Sequence, residues 1–222
     1  MIRLSIDAKA SINIGDFSRG GCSRVPKITG YDHDFKETGA LIPFGILAPR
    51  FDALSIYFAK EKITSDFIVD ALIDWWDTNK SILSGVDTLV LNLDNGPDCH
   101  SRRTQFMYRL IEMANKYNIN IQLAYYPPYH SKYNIIERVW GVLENHWNGS
   151  LLSTVSTALK FAKSMTWNKK HPTVKLVNKI YETGKKLSAK AMEIIESEIA
   201  RVDRIAKWSV FIPSTASLDF DL

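Results

Sequence analysis

The stretch Leu89-Val90-Leu91-Asn92-Leu93-Asp94-Asn95-Gly96-Pro97 decides how this chain is read. A short apolar run stops at a carboxylate and a turn, the pattern of a buried strand whose end meets solvent. Another acid, Asp7, closes the strand-like start Ile2-Arg3-Leu4-Ser5-Ile6. About thirty residues after Asp94, the run Tyr126-Pro127-Pro128-Tyr129-His130-Ser131-Lys132-Tyr133-Asn134-Ile135-Ile136-Glu137-Arg138-Val139-Trp140 brings a third acid to the start of an amphipathic helix. Acids at two strand ends and one helix start can converge on one edge of a sheet, where three carboxylates repel one another unless divalent cations hold them. Such a set reads as metal-dependent phosphoryl transfer.

Outward from that stretch, Ile2–Asp7, Leu41–Ala48 and Ala53–Ala59 read as strands, the last two forming an antiparallel hairpin through Pro49-Arg50-Phe51-Asp52. Thr64 or Ser65 can cap a helix running to about Asn79, with Phe67/Ile68, Ala71/Leu72 and Trp75/Trp76 recurring at helical spacing. Strand Thr88–Leu93, helix Arg102–Tyr117, strand Ile119–Tyr125 and a helix opening near Asn134 complete the order β-β-β-α-β-α-β-α. Strands alternating with helices after an initial meander argue for a mixed α/β sheet covered by helices on both faces. Residues 9–40 are long for a hairpin connection and carry Arg19, Arg24 and Lys27, so this loop is expected to have a role of its own. Beyond Asn148-Gly149, segments 152–164, 173–182 and 188–205 read as helical. The expected division is therefore a catalytic unit over 1–150 and a basic, mainly helical C-terminal extension over 151–222.

At 222 residues and 45% apolar, the chain can bury a substantial core. It has no run of 18 apolar residues and no signal-like N-terminus, so a cytoplasmic protein is expected. Cys22 and Cys99 lack zinc or CxxC spacing and read as reduced thiols. The net charge of +4 is unevenly spread: residues 1–150 hold 16 Lys/Arg against 17 Asp/Glu, and residues 151–222 hold 12 against 7. A basic tail suits a polyanionic partner, and a lysine face kept for solubility is the plainer explanation.

The motifs Ser5-Ile6-Asp7, Leu93-Asp94-Asn95-Gly96 and Tyr126-Pro127-Pro128-Tyr129-His130-Ser131 leading to Asn134-Ile135-Ile136-Glu137-Arg138-Val139-Trp140-Gly141 resemble those of DDE transposases of bacterial insertion sequences, of the mariner-like type. The resemblance runs through most of the chain, including 15–21 and 146–149. It implies a ribonuclease-H-like fold, with Asp7, Asp94 and Glu137 as the catalytic and metal-binding acids. Two Mg²⁺ (or Mn²⁺) ions, cleavage and strand transfer of DNA at transposon ends, a nucleoid-associated place of action and a homodimer belong to the same expectation. Two alternatives stand beside it. One is a ribonuclease-H-type nuclease that does not join strands. The other is a DNA-binding remnant, because the chain opens at the first catalytic strand without the helix-turn-helix region that related transposases carry.

Each candidate residue also has a bland explanation. Asp94-Asn95-Gly96 can be a plain tight turn needing positive φ. Asp7 stands beside Asp94 only through the resemblance. Asn134-Ile135-Ile136-Glu137 also fits a helix capping box, which would explain Glu137 without catalysis and leave Glu144 as the fallback acid. On this helix Ile136, Val139, Trp140, Leu143 and Trp147 are expected to face the core, while Glu137, Gly141 and Glu144 share the next stripe. Ile135 stands where the family commonly has proline, the residue best suited to the first helical position. Expected DNA contacts are Arg19, Arg24, Arg102, Arg103, His130, Lys132, Lys169, Lys170, Lys185 and Lys186, each equally readable as surface charge.

Overall fold

The computed structural model describes residues 1–17, 39–127 and 133–218. Its centre is a sheet of β1 (Ile2–Ala8), β3 (Gly39–Ala48), β4 (Ala53–Ala59), β5 (Thr88–Leu93) and β6 (Asn120–Tyr125), in the spatial order β4-β3-β1-β5-β6. β1 runs antiparallel to β3 and parallel to β5, and β6 is parallel to β5. Helices α1 (Ser65–Thr78), α2 (Thr104–Tyr117) and α3 (Ile135–Trp147) connect or follow these strands. The expected β-β-β-α-β-α-β-α order is therefore present, as a mixed sheet with helices on both faces.

Strand alternation explains the layers. Ile2, Leu4 and Ile6 of β1, with Leu89, Leu91 and Leu93 of β5, face one side, where α1 and α2 bury Phe67, Trp75, Phe106 and Leu110 against them. The intervening residues of β1, namely Arg3, Ser5 and Asp7, then point to the other side. There Ile136, Val139, Leu143 and Trp147 of α3 join a second core with Leu41 and Leu47 of β3 and Leu54, Ile56 and Phe58 of β4. β1 thus sends Asp7 to the α3 face and its own aliphatic residues Ile2, Leu4 and Ile6 to the opposite face.

Three expectations are corrected. The 9–40 connection contains a short strand, β2 (Ile12–Ile14), paired with β3. Segment 173–182 is not helical: Thr173–Val177 forms β7, a strand parallel to the edge strand β4, as its β-branched residues favour. The 188–205 helix is shorter, α5 (Ala189–Glu198), and its apolar spacing runs on into β8 (Ala200–Arg201), which pairs with β9 (Ser209–Ile212) beside β6. Residues after 150 thus add α4 (Val155–Ser164) to the α3 face, α5 to the α2 face and strands to both sheet edges.

Candidate metal centre

Ser5 of β1 pairs with Asn92 of β5, so Asp7 and Asp94 stand two residues further along adjacent parallel strands, at the same sheet edge. Strands so paired lie about 4.8 Å apart, which makes the two acids neighbours. In open α/β sheets, ligands gather at this carboxyl edge. Glu137 lies in the first turn of α3, whose start is bolted to β1. The Ser5 hydroxyl donates to Asn134 Oδ1, the Ile136 amide donates to Ser5 Oγ at 3.2 Å, and Asn134 Nδ2 donates to the Ile6 carbonyl at 3.4 Å. Asn134 therefore spends its side chain on the strand. It makes no side-chain cap of α3, so the asparagine half of the expected capping box is not formed.

Burial pushes the Asp7 carboxyl up to about 7, against the lowering effect of the Trp140 indole N–H that donates to Oδ2 at 2.7 Å; the charges of Asp94 and Glu137 raise it further. The three acids thus share one electrostatic environment. Among the described residues, no three His, Cys, Asp or Glu side chains are grouped closely enough to hold a metal ion by themselves. An open set of carboxylates fits Mg²⁺ nevertheless, because that ion is usually held by one or two protein carboxylates and completes its shell with water and substrate phosphate. Asp7, Asp94 and Glu137 are the residues that would hold it.

The turn after Asp94 is built differently from the expected positive-φ turn. Gly96 lies outside the left-handed region. Its missing side chain instead leaves room for the acid, since a Cβ there would lie 3.2 Å from Asp94 Oδ2. Beneath it the Cys99 thiol, which burial keeps protonated by raising its pKa, lies 3.5 Å from Asp94 Oδ1. Ser65 donates to the Asp98 carbonyl at 2.6 Å, Tyr125 to the Cys99 carbonyl at 2.6 Å, and Arg201 to the Ser101 carbonyl at 2.6 Å. A cavity of about 180 Å³ opens beside Asp7 and Asp94, walled by Phe44, Ile63 and Pro97. Neither the floor of this loop nor its anchor at Arg201 was readable from the sequence, because the partners lie far away in the chain.

The remaining predicted residues are scattered. Glu144, the fallback acid, is tied to Lys9 at 2.6 Å and accepts from the Trp147 indole at 2.7 Å. Arg103 turns inward toward Asp98, 3.7 Å away, while Arg102 is exposed. Lys170 donates to the Phe51 carbonyl at 2.7 Å, and Lys169 and Lys186 are exposed. Lys185 reaches Asp66 at 3.6 Å, as Lys175 reaches Asp74 at 2.6 Å and Lys179 reaches Asp70 at 2.7 Å. Part of the tail's basic excess is therefore answered by an acidic stripe on α1, at the four-residue spacing of one helix face. Arg19, Arg24, His130 and Lys132 lie outside the described residues.

A ribonuclease-H-like sheet with acids gathered at one edge defines a class of polynucleotidyl-transferase-type enzymes. The family model described as the Rhodopirellula transposase DDE domain matches residues 2–214, nearly the whole chain, and the chain belongs to that family of DDE transposase domains. No curated protein matches it. Transposases of this kind act on DNA and generally use divalent metal ions. Among the described residues no helix is long and apolar enough to cross a membrane.

Proposed function

We propose that the chain cleaves DNA at the ends of an insertion sequence and joins those ends to target DNA, with Asp7, Asp94 and Glu137 as the catalytic acids. The observation that supports this most is the register that sets Asp7 and Asp94 side by side at the sheet's carboxyl edge, with Glu137 near enough for its charge to act on Asp7. A pair of bound Mg²⁺ or Mn²⁺ ions would supply activation of the attacking hydroxyl and stabilisation of the leaving oxygen. Asp7, half-withdrawn from water, contributes a carboxylate whose full ionisation a cation favours. Asp94, at the open end of β5, faces incoming substrate. Glu137 approaches the same edge from the first turn of α3, so the three carboxylates face the phosphodiester from both sheet and helix. Exposed Lys169 and Lys186, with Lys160 and Lys163 of α4, supply sequence-independent attraction for the backbone. The enzyme acts as a homodimer on nucleoid DNA in the bacterial cytoplasm.

The experiment is cleavage and strand joining on duplex DNA carrying the element's terminal repeats, with Mg²⁺ or Mn²⁺, for wild type and for Asp7→Asn, Asp94→Asn and Glu137→Gln. The expected result is loss of both products in each variant while DNA binding persists. Products from all three variants at wild-type level would remove the acids from the mechanism, and cleavage without joining by wild type would make the chain a nuclease alone.

A further inference from the structure

Helical spacing makes Trp140 a core residue, and its ring is indeed buried. Its polar edge has a separate destination. The indole Nε1–H donates to Asp7 Oδ2 at 2.7 Å, across from α3 to β1. The ring can lie there because the cross-strand partner of Asp7 on β3 is Gly45. A Cβ on Gly45 would sit 2.7 Å from Ile136 Cδ1, 2.8 Å from Trp140 Cη2 and 2.9 Å from Trp140 Cζ2, closer than real atoms approach. The absent side chain and the indole are therefore two parts of one fitting. Trp140 also stands one turn beyond Glu137 on the same helix, so the bond that grips Asp7 runs through the element that carries the third acid.

We infer that Trp140 is a positioning residue of the metal site, fixing the rotation of the Asp7 carboxylate and its separation from Glu137, with Gly45 providing the space that this requires. The inference rests on the reading of Asp7 as a metal ligand. A small hard cation with strict octahedral demands tolerates little rotation of its carboxylates, and groups that orient a ligand typically matter about 10–100-fold in metal affinity or activity. A merely structural tryptophan would fill the same volume without this bond. Phenylalanine would then replace it at no cost to the site.

The test uses the intact chain, whose six tryptophans give six indole N–H signals in a ¹H–¹⁵N spectrum. The signal missing from Trp140→Phe identifies Trp140. It is expected downfield and slow to exchange in wild type, to move toward a free indole in Asp7→Ala, and to broaden before the other five as Mn²⁺ is added. In parallel, Mn²⁺ thermal titration should show a midpoint raised about 10–100-fold in Trp140→Phe, and likewise in Gly45→Ala, which keeps the indole but displaces it. If Asp7→Ala abolishes the metal response while Trp140→Phe and Gly45→Ala keep the wild-type midpoint, the positioning role is overturned and the metal site stands. A Trp140 signal unmoved by Asp7→Ala overturns it too, and triple-resonance assignment of the wild-type indoles keeps this reading available if Trp140→Phe does not fold. Should wild type and Asp7→Ala respond identically to Mn²⁺, the metal reading and the positioning role fall together.

Discussion

At the scale of single residues, Asp7 carries an electrostatic cost that the fold itself imposes. Its carboxyl is raised from 3.8 to about 7 by burial first and by neighbouring acids after it. The folded chain therefore binds a proton that the unfolded chain releases between those values. The associated stability is fully present below 3.8 and is lost as pH rises through about 7. At about pH 8 the ionised group costs the metal-free protein on the order of 4 kcal/mol as an upper figure. Asp7→Asn, whose amide oxygen can still accept from Trp140, should thus melt above wild type at about pH 8, and the gap should close toward pH 4 in pH-resolved thermal denaturation. A gap independent of pH would remove the penalty from Asp7. Glu137→Gln should fold like wild type, because the bonds from Ser5, Asn134 and Ile136 hold the helix start without it; the urea midpoint reads this. Asp94 stood out in the sequence because a carboxylate ending an apolar run does, whereas Asp7 and Glu137 were singled out through the family resemblance. Trp140 was legible only as core, since periodicity reports which way a side chain faces and not what its far edge touches.

Among elements, the segment from β7 to α5 lies over α1 and is fastened by Lys175, Lys179 and Lys185 on Asp74, Asp70 and Asp66. The lysine ends of these pairs are exposed while Asp66 and Asp70 are largely withdrawn from water, so each pair is worth on the order of 1 kcal/mol and weakens in salt. Replacing the three lysines with Gln should lower the melting temperature modestly at low salt and scarcely at all in strong salt. Replacing Lys169 and Lys186 instead should leave stability alone and flatten the log–log salt dependence of DNA binding by about 0.9 for each phosphate contact removed. The reverse pattern would assign the strap to DNA and the exposed pair to solubility. Arg201 fastens a different element: it chelates Glu196 at 2.7 and 2.8 Å while holding the Ser101 carbonyl. Arg201→Leu should cost about 1–3 kcal/mol in urea unfolding. The central strands were readable because apolar alternation marks them; β7, half-exposed at an edge and spaced by lysines, carried a pattern that a helix could equally have produced.

Over the whole molecule, residues after 150 flank the sheet at both edges and contribute Ile195, Ile199, Val210 and Ile212 to one core and Leu152, Ala158 and Ala162 to the other. A chain ending at 150 would expose the edges of β4 and β6 and leave those pockets open, so its circular dichroism should show no cooperative melt. A sharp melt of that fragment would make the tail dispensable to the fold. The mixed sheet and its helix layers were foreseeable because period-2 and period-3.6 patterns are local. The edge strands were not, because pairing between residues as far apart in the chain as Ser55 and Thr173, or Ala124 and Ser209, leaves no local trace. All of this places two acids at one edge and a third on the helix above it, and the central claim is that together they make one divalent-cation site. The most direct measurement is the melting temperature of wild type and of Asp94→Ala over a Mn²⁺ titration. At about 100 times the dissociation constant, wild type should gain roughly 2.7 kcal/mol and Asp94→Ala should gain nothing; equal gains in the two proteins would contradict the account.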